Sequence, residues 1–254
     1  LEIGQQVPEE LYQAVAEDRP VLGVVYAIIL PLIGENPLAW QIFAIITHWL
    51  CAVCIFAIIK EIWPKHENTA CYMSALCLIF PGFSQHWIAV IYSQAFLLFS
   101  IYYCSIFLMI QAIKNQHRYW LFSLASIGLS LFSMACSEYT VGLELLRPVV
   151  IFIVLNTMEP KKSTKQKLYI SLVKWVPYFV SLVVFIIYRT FIATSVLYSV
   201  RIVDDLFNNP IGLIINFIKF SINNLIKAGI LAWVKPFTLL LDLNLARMVD
   251  KIYL

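Results

Sequence analysis

Leu38-Ala39-Trp40-Gln41-Ile42-Phe43-Ala44-Ile45-Ile46-Thr47-His48-Trp49-Leu50-Cys51-Ala52-Val53-Cys54-Ile55-Phe56-Ala57-Ile58-Ile59-Lys60 decides how this sequence folds. No Asp, Glu or Arg interrupts it, and its first Lys is the last residue. A helix needs about 20 apolar residues to cross the hydrocarbon core of a bilayer. Similar runs occupy 69–86, 87–113, 119–136, 138–156 and 168–190. A seventh, 211–234, is interrupted by Asn216, Lys219, Asn223, Asn224 and Lys227. Backbone polar groups in lipid must bond within their own segment, so the runs read as helices. The fold expected is all-α: a polytopic transmembrane bundle of six or seven spans plus one interfacial helix.

Composition agrees. Hydrophobic residues make up 61% of the 254, and charged residues 13%. Soluble domains carry roughly 25% charged residues, and the mean hydropathy here is +0.81. The net charge of +3 gives no footprint for nucleic acid. The lipid bilayer is the partner the composition requires. Cys51 and Cys54 form a CxxC, a spacing that elsewhere points to zinc or redox chemistry. Inside an apolar run with no second such pair, they read as small helix residues. The chain begins at Leu1 without Met and ends at Leu254 in an unfinished apolar stretch, so a piece of a longer protein is expected.

Charge sets the orientation. Bases cluster at Lys60 and Lys65, at Lys114 and Arg118, and at Lys161, Lys162, Lys165 and Lys167. The positive-inside rule places these loops in the cytoplasm. Span 38–60 then enters from outside. Segment 21–34 is only about 14 residues, short of a crossing, and contains Pro31. The stretch before it holds Glu2, Glu9, Glu10, Glu17 and Asp18, with Arg19 as its one base. An interfacial 21–34 keeps that acidic stretch outside. The organisation expected is an external loop over 1–37 with interfacial helix 21–34, a bundle over 38–190, and a further external loop and membrane-associated helices over 191–254.

Three groups of residues could carry chemistry. Ser137-Glu138-Tyr139-Thr140-Val141-Gly142-Leu143-Glu144-Leu145-Leu146-Arg147-Pro148 starts outside and runs inward. On an α-helix Arg147 lies about 13 Å below Glu138. Glu144 and Arg147, three apart, share a face. They either lock helices together or line an external cavity in which Arg147 meets an anionic phosphate, since intramembrane ionisable residues point to function. Glu138 suits a helix start or a cavity acid. Gln85 and His86, after Pro81-Gly82, sit at an external turn and could bind a sugar hydroxyl or phosphate; a plain polar turn is the alternative. Arg189, at the external end of 168–190, suits phosphate recognition or snorkels to the interface. His48 reads as a packing residue, and no histidine shows metal-ligand spacing.

Asp18-Arg19-Pro20, an interfacial apolar helix, Asn36-Pro37, His48, Phe80-Pro81 and Ser137-Glu138-Tyr139 follow one another in an order that resembles the GT-C superfamily of membrane glycosyltransferases. The resemblance covers about residues 17–190 and implies a GT-C-like, protein-mannosyltransferase-like bundle. It implies transfer of a sugar from a polyprenyl-phosphate carrier to an acceptor hydroxyl at the non-cytoplasmic face. It further implies an acid in the first external loop as general base, for which Glu17 and Asp18 stand in, with Glu138 lining the site. Arg147, Arg189, Gln85, His86 and Glu144 would contact substrate. The resemblance names no cofactor with certainty, and a divalent metal is compatible with that chemistry. A bacterial plasma membrane is the location expected. The alternative function is a non-catalytic transporter or assembly subunit.

Overall fold

The computed structural model describes residues 19–83, 88–192 and 209–234; among these there is no strand. The helices are α1 (Pro20–Ile33), α2 (Pro37–Ile62), α3 (Glu67–Leu78), α4 (Ala89–Lys114), α5 (Tyr119–Cys136), α6 (Arg147–Met158), α7 (Thr164–Ile187) and α8 (Pro210–Ile226). A 3-10 segment, Glu138–Leu146, leads into α6, and π turns at Tyr188–Ile192 and Lys227–Leu231 follow α7 and α8. Among the described residues six stretches are long and apolar enough to cross a membrane: Pro37–Ile62, Ala89–Lys114, Gln116–Cys136, Glu138–Met158, Thr164–Phe191 and Pro210–Val234. The chain is an integral, multi-pass membrane protein.

Side-chain distribution supports that conclusion independently. Ser123, Ser126, Ser130 and Ser133 are buried on α5, whereas Trp120, Leu121 and Leu124 on the same helix are exposed. A polar interior with an apolar exterior is the reverse of a soluble helix and is how helices pack in lipid, where small and hydroxyl residues bring backbones together.

The chain divides into two compact units: Leu1–Leu78 with Trp87–Tyr198, and Ile79–His86 with Ser199–Leu254. In the first, α2 and α4 run side by side in the same direction. Ser100 Oγ donates to the Thr47 carbonyl at 3.4 Å, Cys54 and Cys104 Sγ lie 3.5 Å apart, and Lys114 Nζ meets Glu61 Oε2 at 2.5 Å. Helix α3 returns against α2, tied by Lys60 to Glu67 at 2.7 Å. It stops at Leu78, where an uninterrupted span over 69–86 was expected; Pro81 removes a donor from any continuing helix, and a turn follows Ile79. Helix α5 runs antiparallel to α4. Ser126 and Ser105 donate reciprocally to each other's carbonyls at 2.6 and 2.8 Å.

Helix starts follow the sequence. Asn36 Oδ1 accepts from the Leu38 amide at 2.9 Å, with Pro37 at the first helical position, both favoured there. Ser163 and Gln166 form a capping box, which begins α7 four residues before the apolar run does.

Both ends of α1 lie at one end of this unit. Arg19, before its first residue, reaches Glu138. Tyr26 donates to Gln94 Oε1 at 2.5 Å. Beyond its last residue, Gly34 turns at φ +70°, a conformation that favours glycine, and its carbonyl accepts from Trp40 Nε1 at 2.9 Å. Helix α1 therefore lies across the bundle end rather than crossing beside α2. The lysine clusters mark the other end.

In the second unit, α8 and its continuation to Val234 are exposed or half-buried throughout the described residues. Phe80 packs on Phe83 and Trp233, with ring centroids at 5.2 and 5.9 Å.

The reciprocal Ser105–Ser126 contact predicts that Ser126→Ala lowers stability by about 0.6–1.7 kcal/mol, the range for interhelical hydrogen bonds in lipid. Detergent-driven unfolding in mixed micelles measures it; an unchanged midpoint contradicts the contact.

Candidate functional site

Two ionic clusters are built around the segment from Ser137 to Pro148, at different depths. Pro148 has no N–H and its ring clashes with the carbonyl four residues earlier in an α-helix. The chain from Glu138 to Leu146 accordingly winds as a 3-10 helix, unusually long for that form. At about 2.0 Å per residue, nine residues carry Arg147 about 18 Å from Glu138, deeper than the 13 Å an α-helix gives. With three residues per turn, Glu138, Val141, Glu144 and Arg147 stack in one line.

At mid-span, Glu144 and Arg147 are 0% exposed. Arg147 Nε donates to Glu144 Oε2 at 2.6 Å. Its Nη2 donates to Ser105 Oγ at 2.5 Å and its Nη1 to Ser126 Oγ at 3.3 Å. The guanidinium carbon lies 5.2 Å from the Tyr102 ring and 4.7 Å from the Tyr178 ring, within cation–π range. Ser130 donates to the other Glu144 oxygen. The side chains holding Arg147 come from α4, α5, α7 and the 3-10 segment, and the pair ties these four elements together. Of the two readings open from sequence, this geometry fits the structural lock. The pair has no exposed surface through which a lipid phosphate could reach it.

At the bundle end opposite the lysines, Glu138 Oε2 lies 3.0 Å from Arg19 Nη2 and Oε1 lies 2.8 Å from Arg189 Nε. Each element contributes for a local reason. Arg19 precedes Pro20 at the start of α1. Glu138 follows the end of α5 at the extended Ser137. The π turn after α7 carries Arg189. All three side chains are partly exposed, at 27, 35 and 21% for Arg19, Glu138 and Arg189. A narrow cleft beside them is lined also by Val21, Ala135, Phe185 and Tyr188, and has space for about one water molecule. Guanidinium forks match carboxylate and phosphate oxygens alike; here both grip the Glu138 carboxylate.

The structure thus brings Glu138 and Arg189 together, and holds Glu144 and Arg147 in a separate, closed cluster. Glu17, Asp18, Gln85 and His86 lie outside the described residues. Arg19 was legible only as part of Asp18-Arg19-Pro20; nothing in the sequence linked it to Glu138. Ser105, Ser126, Ser130, Tyr102 and Tyr178 were missed. The signal for two of them, Ser126 and Ser130, was a serine every three or four residues along α5. His48 stacks on Phe96 at 4.2 Å, with Nε2 3.3 Å from the Cys77 carbonyl oxygen, as a packing residue would. Among the described residues no three His, Cys, Asp or Glu side chains gather as a metal site requires.

No family model matches the chain, and neither a curated protein nor a solved structure matches it.

Glu138→Ala removes the carboxylate that links α1 to the turn after α7. Amide hydrogen exchange should rise at the first turn of α1 and stay unchanged around Arg147. Equal protection of the amides from Gly23 to Tyr26 in both proteins contradicts the linkage.

Proposed function

We propose that this chain is a GT-C-type membrane glycosyltransferase that transfers a sugar from a polyprenyl-phosphate carrier to an acceptor hydroxyl at the non-cytoplasmic face. The observation that carries the reading is the convergence of Arg19 and Arg189 on Glu138 at the bundle end facing away from the lysine loops. The order of family-like motifs along residues 17–190, and α1 lying across that same end, support it.

The chemistry asks little of the protein beyond positioning and charge. The donor's phosphate enters between the two guanidiniums and displaces the Glu138 carboxylate from them. The freed carboxylate, or that of Asp18, accepts the proton of the acceptor hydroxyl. The hydroxyl oxygen bonds to the anomeric carbon as the bond from that carbon to the phosphate oxygen breaks. The polyprenyl phosphate leaves with the electron pair, its added negative charge met by Arg19 and Arg189. Direct displacement inverts the anomeric centre. Arg147 and Glu144 hold the helices that carry these groups and do not touch substrate.

A transporter or assembly subunit is the second reading, favoured by one observation: the ion pair buried at mid-span, since intramembrane charges often mark transport pathways.

Full-length protein in membranes with a radiolabelled polyprenyl-phosphate sugar should glycosylate acceptor. Arg189→Ala should reduce this by about 10- to 100-fold, from loss of one charge-assisted phosphate contact, and Glu138→Gln should reduce it comparably. Wild-type turnover in both variants contradicts the assignment.

A further inference from the structure

Three of the lysines at the end of the bundle away from Glu138 are used within the fold. Lys60 meets Glu67 at 2.7 Å and Lys114 meets Glu61 at 2.5 Å. Lys167, buried, donates to Asn156 Oδ1 at 2.7 Å. The stretch Lys161-Lys162-Ser163-Thr164-Lys165-Gln166 is different. Lys162 meets Glu159 at 2.7 Å. Lys161 and Lys165 are exposed, and among the described residues neither meets a carboxylate. The stretch thus carries three cations beside one acid.

An open cleft of about 420 Å³ lies against it, lined by Lys162, Lys165, Gln166, Tyr169 and Ile170. That volume falls in the range that holds a small ligand. The lining is graded along α7. Lys165 and Gln166 stand in the first turn, and Tyr169 and Ile170, four residues on, lie about 6 Å further along the same face. Beyond them Val173 and Val176 are exposed, on the flank of a membrane-length stretch that begins at Thr164. Cations at the rim, an aromatic ring at the interface and apolar side chains below follow the order of a phospholipid from phosphate to acyl chain. A free anion would use only the upper half of such a cleft.

We infer that this cleft binds the headgroup of an anionic phospholipid in the leaflet at the lysine end. The phosphodiester lies between the Lys162 and Lys165 ammoniums, compact charges on flexible stems. Lys162 exchanges Glu159 for the phosphate, an easy step for an exposed ion pair. The Gln166 amide donates to a headgroup oxygen, and the first acyl carbons pack on Tyr169 and Ile170. Basic residues beside a span attract anionic lipids in general; the cleft gathers that attraction into one place. It lies at the opposite end of α7 from Arg189 and does not depend on what Arg19 and Arg189 bind.

Titration of the full chain in neutral detergent micelles with phosphatidylglycerol, read by native mass spectrometry, tests the site. The expected result is a single tightly retained phosphatidylglycerol, with phosphatidylcholine, whose headgroup carries a balancing cation, held more weakly. Lys162→Gln combined with Lys165→Gln should weaken phosphatidylglycerol binding by about 30-fold, roughly fivefold for each lysine beside an anionic headgroup. Lys65→Gln combined with Arg118→Gln removes the same charge from the same end, leaves the cleft intact and should leave binding unchanged. All four side chains are exposed, so neither variant takes apart the core. Millimolar inorganic phosphate should not displace the lipid. Equal retention of the two lipids, equal weakening by the two double variants, or displacement by inorganic phosphate each overturns the proposal: the first leaves an ordinary acyl contact, the second a diffuse surface charge, the third a site for a free anion.

Discussion

An arginine and a glutamate buried together in the hydrocarbon zone set the terms for the rest of this bundle. An unpaired charge at that depth is expensive on any scale, so each donor and acceptor of Arg147 and Glu144 demands a partner. The demand reaches three helices: a serine on α4, serines on α5, and a tyrosine ring from each of α4 and α7 over the guanidinium. Arg147 itself opens α6, and the 3-10 segment delivers Glu144. A residue shift in any of these elements would strand a charge. The pair therefore specifies register more than it adds net stability, consistent with the general behaviour of buried ion pairs, which are sensitive to loss of one partner and tolerant of loss of both.

The same constraint separates the polar groups into layers. The closed pair sits deep. The arginine–glutamate–arginine cluster lies at one end, half in water, where individual ion pairs add little stability and exchange of partners is easy. The lysines lie at the other end, several tied to Glu61, Glu67, Glu159 and Asn156. A chain organised this way has a partly exposed pair of arginines suited to an anion at the end away from the lysines, and a rigid middle to hold it. That division of labour, register at mid-depth and exchangeable ion pairs at the rim, is what connects the packing to the proposed phosphate site.

The bundle was legible because its signals are local. Uninterrupted apolar length marks the spans, and the lysine clusters gather at one end of the bundle. The short 21–34 stretch reads as a helix too short to cross, and α1, Pro20–Ile33, is short, with contacts to Glu138, Gln94 and Trp40 along its length. The site was only half legible. Glu138 and Arg189 are visible as polar residues near span ends, but 51 residues of chain separate them, and no periodicity connects them to each other or to Arg19. Glu144 and Arg147 are visibly paired by spacing. That the pair is sealed depends on Ser105, Tyr102 and Tyr178 on other helices, which a single helix pattern cannot show. The long 3-10 segment was hidden for another reason. Pro148 signals a break in the α-helix, but not that the break takes the form of nine residues of 3-10 winding before Arg147. Helix α3 shows the converse error: apolar length over 69–86 suggested one span, and the Pro81-Gly82 turn signal outweighed it.

A double-mutant cycle on the mid-span pair, read by unfolding in lipid–detergent mixtures, tests the central claim most directly. Glu144→Leu and Arg147→Met each leave one buried charge alone and should cost about 3–5 kcal/mol. The double variant should lose far less than the sum of the two. Additive losses, or single variants within about 0.5 kcal/mol of the parent, would contradict the view that this pair holds the bundle in register.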